Sequence, residues 1–126
     1  MTPLDAFKAD IAGISWTDAP ATLEAKSRDY YWYSPVLKEQ LDGKHADLLV
    51  RPNDEAEVLR VAAACARHRL PVTLRGGGTG NYGQCVPLKG GVVLDMTGLN
   101  RVLDVHPGSV LCEAGTLIAD LEQAVR

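Results

Sequence analysis

Apolar positions along this chain alternate between helical and strand spacing. Leu4, Phe7 and Ile11 recur at helical intervals, and Thr2-Pro3 supplies a cap residue followed by proline at the first helical position. The spacing predicts a helix over 3–11 and a second helical piece over 21–28. Asp29-Tyr30-Tyr31-Trp32-Tyr33 is a dense aromatic cluster that Ser34-Pro35 ends. Such rings either pack against the body of the protein or wall a ligand or partner. Residues 36–45 contain Asp42-Gly43 and are expected to form a turn-rich connection.

A clearer unit starts at Ala46. Leu48-Leu49-Val50 reads as a short buried strand, and Pro52-Asn53-Asp54-Glu55 as a helix start with acids in the first turn. That helix is expected to run to His68, with Val58, Leu59, Ala62, Cys65 and Ala66 as its apolar stripe. Arg67, His68 and Arg69 suit its negative end, and Pro71 stops it. Val72-Thr73-Leu74 is a second strand, so strand, helix and strand form a βαβ unit with parallel strands and a right-handed crossover. Further on, 91–96 reads as a strand. Residues 102–105 and 109–113 flank a His106-Pro107-Gly108 turn as a hairpin. Thr116 is expected to cap a last helix that buries Leu117, Ile118, Leu121 and Val125. The predicted class is α+β: a small βαβ parallel-sheet lobe, then the start of a second, mainly antiparallel β lobe. Three segments follow: 1–45, helical and aromatic; 46–90, the first lobe; and 91–126, the start of the second.

The stretch that stands out lies between the second and third strands. Gly76, Gly77, Gly78, Gly80 and Gly83 follow, after Arg75, on the strand that ends at Leu74. Glycines clustered at a strand end let the main chain itself meet a ligand, and successive N–H groups in such a turn form a concave nest for an anion. Thr79 and Asn81 add side-chain donors, and Arg75 a positive charge at the rim. The loop is therefore read as a holder of a dinucleotide pyrophosphate.

Three phosphate loops compete for this pattern. A P-loop needs Gly-Lys-Ser/Thr after its glycines, whereas Asn81, Tyr82 and Gln84 stand here. Gly78-Thr79-Gly80-Asn81-Tyr82-Gly83 matches G-x-G-x-x-G, and Asp95 ends the next strand. That fingerprint works only when a helix opens at the loop. The connection from Gln84 to Gly91, QCVPLKGG, is too short for one and includes Pro87 and two glycines. The third option, a loop that wraps the phosphates with backbone amides and has no helix behind it, remains.

Composition narrows the setting. Hydrophobic residues make up 46% of 126, enough for a globular core, and the net charge of −3 argues against a nucleic-acid surface. Cys65, Cys85 and Cys112 are far apart and odd in number, giving neither a disulfide framework nor a metal spacing. A reducing cytoplasm is the expectation. The N-terminal residues do not read as a secretory signal, and no stretch approaches a membrane span. His45, His68 and His106 lack the spacing of a metal site or a catalytic pair. Asp95 is expected to cap the Thr97-Gly98 turn, and Cys85 to pack beneath the glycine loop.

Taken in order, these motifs resemble one family. Val50-Arg51-Pro52 with the helix from Asp54, Pro71 to Gly80, Gly91 to Met96, Leu99 to Leu103, and Glu113-Ala114-Gly115-Thr116-Leu117 resemble the FAD-binding domain of the vanillyl-alcohol oxidase and p-cresol methylhydroxylase superfamily. The resemblance covers about 46–126 and is expected to reach back to Ser27. It implies that Gly76, Gly77, Gly78, Thr79 and Gly80 give N–H groups to the FAD pyrophosphate, with hydrogen bonds from the side chains of Thr79 and Asn81. Gly83 and Gln84 would lie toward the flavin and Pro52 toward the adenine, and Arg75 would brace the loop. Relatives that link flavin covalently through this loop carry histidine at the position of Thr79, so the implied FAD is non-covalent. The loop is most similar to the D-lactate dehydrogenase and glycolate oxidase branch. Family members extend for several hundred residues, so this chain resembles their first lobe and the start of the second.

The implied whole enzyme oxidises a 2-hydroxy acid or alcohol by hydride transfer to FAD. Its base and substrate anchors would lie outside this chain, and no catalytic or metal-binding residue is assigned here. The implied partners are FAD and a small-molecule substrate, with a C-terminal lobe or a second copy completing the fold. The competing reading is a nucleotide-binding or partner-dependent fragment without redox activity.

Overall fold

The computed structural model describes residues 1–126. Its elements are α1 (Pro3–Asp10), β1 (Ser15–Thr17), α2 (Pro20–Lys26), a 3-10 turn (Tyr31–Tyr33), α3 (Pro35–Leu41), β2 (Leu48–Arg51), α4 (Glu55–His68), β3 (Val72–Arg75), β4 (Val92–Asp95), a second 3-10 turn (Met96–Gly98), β5 (Val102–His106), β6 (Ser109–Cys112) and α5 (Ile118–Ala124). The expected class holds: a mixed, mostly parallel sheet with helices, and a separate antiparallel hairpin.

Local signals account for most helix starts. Thr2 and Asp5 form a reciprocal cap on α1. Asp54 caps α4 by accepting from the Glu57 N–H at 2.8 Å, and Arg69 ends it in the left-handed conformation (φ 54°). The expectation of a turn-rich 36–45 is corrected, because α3 occupies 35–41. Ser34 caps it by accepting the Leu37 N–H at 3.3 Å, and Pro35 takes the first helical position. The pair that ends the aromatic cluster is thus also a helix start. Strand β1 was not expected, since Ser-Trp-Thr is too short to show a period.

The sheet order is β1-β2-β4-β3. β2 and β3 are parallel as expected, but β4 lies between them and pairs with both. β4 opens the 91–126 segment yet is flanked on both sides by strands of 46–90, which explains why all four of its residues are buried. One sheet face, Leu48, Val50, Val92 and Leu94, packs on Phe7 of α1, on Ile11 just after it, and on Val61, Ala64 and Cys65 from α4. The other face, Leu49 and Val93 with Ala46, meets Leu23 of α2. The stripe expected on α4 is out of phase: Cys65 is buried and Val58 half-buried, but Leu59, Ala62 and Ala66 are exposed, and Val61 and Ala64 fill the core. Burial lifts the Cys65 thiol pKa to about 11.

A charged clasp joins the carboxyl ends of α1 and α4. Asp10 accepts from Arg67 Nη1 at 2.6 Å, and the same oxygen lies 2.6 Å from His68 Nε2. His68, then Arg67, holds the Asp10 carboxyl below the usual carboxylate range. A depressed acid stabilises the fold above its unfolded-chain pKa, and this contribution is lost as pH falls through the lowered folded value. Asp10→Asn should therefore lower the urea midpoint at neutral pH, and the difference from wild type should shrink as pH falls through the lowered folded value.

The hairpin and α5 lie outside the sheet. Arg101, whose N–H and Nε both donate to Glu113 Oε1 at 3.0 and 2.7 Å, closes the base of the hairpin, and the Gly115 N–H on the Leu99 carbonyl at 2.9 Å ties the following segment to the turn after β4. Thr116 does not cap α5, because its hydroxyl donates to the Glu113 carbonyl instead. The expected buried side of α5 is also corrected: Leu117, Ile118 and Val125 are exposed, as are Leu103, Val105 and Leu111 of the hairpin. Leu117 is only partly covered, where it faces Gly77 of the glycine loop, and Ile118 is 78% exposed.

Candidate cofactor-binding site

The parallel strands β2, β3 and β4 all end on one edge of the sheet, at Arg51, Arg75 and Asp95. Ligands of open α/β sheets gather at that edge. The glycine loop leaves from it. Two of the loop's glycines, Gly78 (φ 69°) and Gly83 (φ 80°), have left-handed backbone. Residues 84–91 form turns closed by Val86 N–H on the Gly83 carbonyl and Gly90 N–H on the Pro87 carbonyl, with no helix. A dinucleotide fold with a helix dipole behind the phosphates is therefore excluded.

The N–H groups of residues 76–81 make no hydrogen bond within the chain. The next two are engaged: Tyr82 N–H donates to Gln84 Oε1 at 3.2 Å, and Gly83 N–H to Asp29 Oδ2 at 3.0 Å. The donor run thus stops at Asn81. Gly83 gives its donor to the protein, and the Gln84 side chain is turned back onto its own loop.

Arg75 lies beneath the loop and not on its rim. It is 8% exposed, and Nη1 donates to the carbonyls of Arg28 at 2.6 Å and Lys26 at 3.2 Å, and contacts Cys85 Sγ at 3.5 Å. Its Nε is buried without a partner. Cys85 is buried under the loop, and burial raises its thiol pKa against the pull of Arg75. Pro52 is fully buried, its carbonyl packed against Gly98 behind the strand edge. Asp95 accepts from the Thr97 N–H at 3.0 Å and hydroxyl at 2.7 Å, the cap expected of it. The aromatic cluster divides: Tyr31 is buried and donates its hydroxyl to Asp42 at 2.7 Å, whereas Tyr33 is exposed. Burial lifts the Tyr31 hydroxyl pKa to about 12.

Gly76 and Gly77 line a cleft of about 350 Å3 between the loop and the hairpin lobe, opposite Arg51, Thr97 and Asn100, with Lys26 at its side. Asp120 is the one acid there. A second recess of about 310 Å3 lies on the far side of the loop, with Thr79, Gly80, Gln84 and Cys85. The sequence reading missed Lys26, Arg51, Thr97 and Asn100. Arg51 carried a usable signal, since it ends the first parallel strand; the others carried none. No group of three His, Cys, Asp or Glu side chains is placed to hold a metal.

A family model described as an FAD binding domain matches residues 46–126. The chain belongs to this family of FAD-binding domains. Glycolate oxidase subunit GlcD of Escherichia coli (strain K12) is 42% identical over 60 residues, covering 48% of this chain and 12% of that protein. The probable mitochondrial D-2-hydroxyglutarate dehydrogenase of Oryza sativa subsp. indica is 33% identical over 82 residues, covering 64% of this chain and 15% of that protein. Among solved structures, an alkyldihydroxyacetonephosphate synthase matches with a TM-score of 0.77 at 20% identity, covering 97% of this chain and 26% of that one. Substrate-bound p-cresol methylhydroxylase matches at 0.73 and 16%, covering 97% and 23%. The superfamily resemblance in the sequence is borne out, and this FAD-binding domain spans a small part of each relative's length. FAD is its cofactor. The residues present fit a dinucleotide pyrophosphate: a run of unpaired N–H groups, glycines with no Cβ over it, and two cations beside it. No helix is long and apolar enough to cross a membrane.

Proposed function

We propose that this chain grips the FAD pyrophosphate in a flavin-dependent oxidoreductase that oxidises a 2-hydroxy acid or alcohol. The observation that carries the reading is the run of unpaired amides at 76–81, set at the edge where the parallel strands end. Bound FAD supplies the two-electron acceptor; the chain supplies grip and orientation. The N–H groups of Gly76, Gly77, Gly78, Thr79, Gly80 and Asn81 donate to the two phosphates, and the Thr79 and Asn81 side chains add donors. Arg51 and Lys26 offset the double negative charge across the cleft. Gly83 and Gln84 form the end of the loop toward the flavin. Pro52 shapes the adenine side from within the core, and Arg75 braces the loop from below. The substrate class is supported by the names of relatives: glycolate oxidase, D-2-hydroxyglutarate dehydrogenase, and the D-lactate dehydrogenase of Anaerostipes hadrus. Free, unpaired cysteines fit a cytoplasmic setting.

Titration of the chain with FAD, read by flavin fluorescence and melting temperature, tests this directly. FAD should raise the melting temperature and NAD should not. Arg51→Gln should weaken FAD binding by about 3- to 10-fold and flatten its salt dependence, as expected for loss of one partly solvated charge-assisted contact. A melting temperature that FAD leaves unmoved contradicts the reading.

The exposed apolar side chains Leu103, Leu111, Leu117 and Ile118 favour a second reading, a nucleotide-binding fragment without redox activity that works against a partner or a second copy. The two differ in the protein that carries this domain. Under the first reading a 2-hydroxy acid bleaches its flavin absorbance; under the second the band persists.

A further inference from the structure

We propose that Asp29, with the backbone of Tyr30, is the positioning element that aims the loop's N–H groups outward, from a segment that lies ahead of the family match at 46–126. The inference rests on the FAD reading of the loop. Asp29 is 3% exposed, and its carboxylate spans two elements. One oxygen accepts the Tyr31 N–H at 2.8 Å and the other accepts the Gly83 N–H at 3.0 Å. These two bonds satisfy a buried charge that would otherwise be costly to keep out of water. They also fix the far end of the loop to the 3-10 turn.

The middle of the loop is held by main chain. Tyr30 N–H donates to the Gly80 carbonyl at 2.9 Å. No peptide bond in the chain is cis, and in a trans peptide the C=O and N–H point in opposite directions. Drawing the Gly80 carbonyl inward therefore turns the Asn81 N–H outward. At the near end, Arg75 Nη1 binds the carbonyls of Lys26 and Arg28. Residues 26–31 thus hold the loop at its start, middle and end. A glycine-rich loop without such restraint has unusually many conformations to lose on binding. A loop held in advance loses fewer, which appears directly as affinity.

The test compares Asp29→Ala, Asp29→Asn and Thr2→Ala in the whole chain, with FAD titrated into each. Thr2→Ala removes the α1 cap far from the loop and reports what loss of stability alone does to affinity. Asp29→Ala should weaken FAD binding at least 10-fold, beyond any change in Thr2→Ala at a matched fall in melting temperature. Asp29→Asn keeps an acceptor oxygen and should recover part of the loss. In the FAD-free chain, 15N relaxation should report lower order parameters for Gly78 to Asn81 in Asp29→Ala than in wild type. If Asp29→Ala does not fold, Asp29→Asn provides both readouts against wild type. Wild type that binds FAD beside an Asp29→Ala that binds equally well overturns the brace, as do unchanged order parameters. Wild type that ignores FAD overturns the cofactor reading instead, and the relaxation data still decide the brace.

Discussion

Gly78→Val abolishes FAD binding, weakening it by more than about 100-fold, while the sheet still folds. Two independent obstacles act at this position. The backbone is left-handed at φ 69°, where a β-branched residue is strained. A Cβ there would also lie 1.9 Å from Arg75 Nη2, inside the buried guanidinium that holds Lys26 and Arg28. Arg75 cannot withdraw without abandoning both carbonyls, so the loop must move and its N–H groups lose their common direction. The core sheet face is remote from this contact, so far-UV circular dichroism should be unchanged. An FAD affinity within 3-fold of wild type, roughly 0.6 kcal/mol, contradicts the assignment of this loop.

Gly115→Ala is expected to be the most damaging single-methyl change, because it wedges the two lobes apart. An added Cβ would sit 1.6 Å from the Met96 carbonyl oxygen and 2.9 Å from that of Leu99, both main-chain atoms. The Gly115 N–H bond to Leu99 would break as the segment moved away. Overpacking against backbone and one lost bond together cost about 3 kcal/mol, a fall in Tm of roughly 10 °C for a chain of this size. The variant should also bind FAD more weakly, since Gly115 lines the cleft opposite Gly76 and Gly77. Thermal melting with and without FAD checks both effects. A Tm within about 2 °C of wild type would show that the lobes are not locked through this contact.

Where the sequence predicted the fold correctly, short-range chemistry decided it. Thr2-Pro3 and Asp54 place helix starts through caps formed within one turn, and Pro71 stops α4 through its own ring. The glycine loop was legible because the absence of side chains is itself the functional feature. The errors share a cause: they depend on partners distant in sequence. Ser34-Pro35 reads equally well as an end or a start until Leu37 is seen folding back on Ser34. The stripe of α4 was set one step out of phase because Leu59 looks like core, yet α1 and the sheet approach from the side of Val61 and Ala64. Ile118 and Leu117 look buried by composition and are not: Ile118 is 78% exposed, and Leu117 is covered only on the side of Gly77. At the site, Arg75 looked like a rim charge because its acceptors are carbonyls of Lys26 and Arg28, which carry no sequence signal as acceptors. Asp29 was invisible for the same reason: its role is to receive the Gly83 N–H, and nothing local announces that pairing.

The central claim is that free main-chain donors at 76–81 hold two linked phosphates. A 15N–1H correlation spectrum of the chain titrated with FAD tests it residue by residue. The prediction is that the amide protons of Gly76 to Asn81 move downfield as they gain phosphate acceptors, while Tyr82 and Gly83, already bonded within the chain, move little. Shifts that spare 76–81 and collect elsewhere on the surface would contradict it.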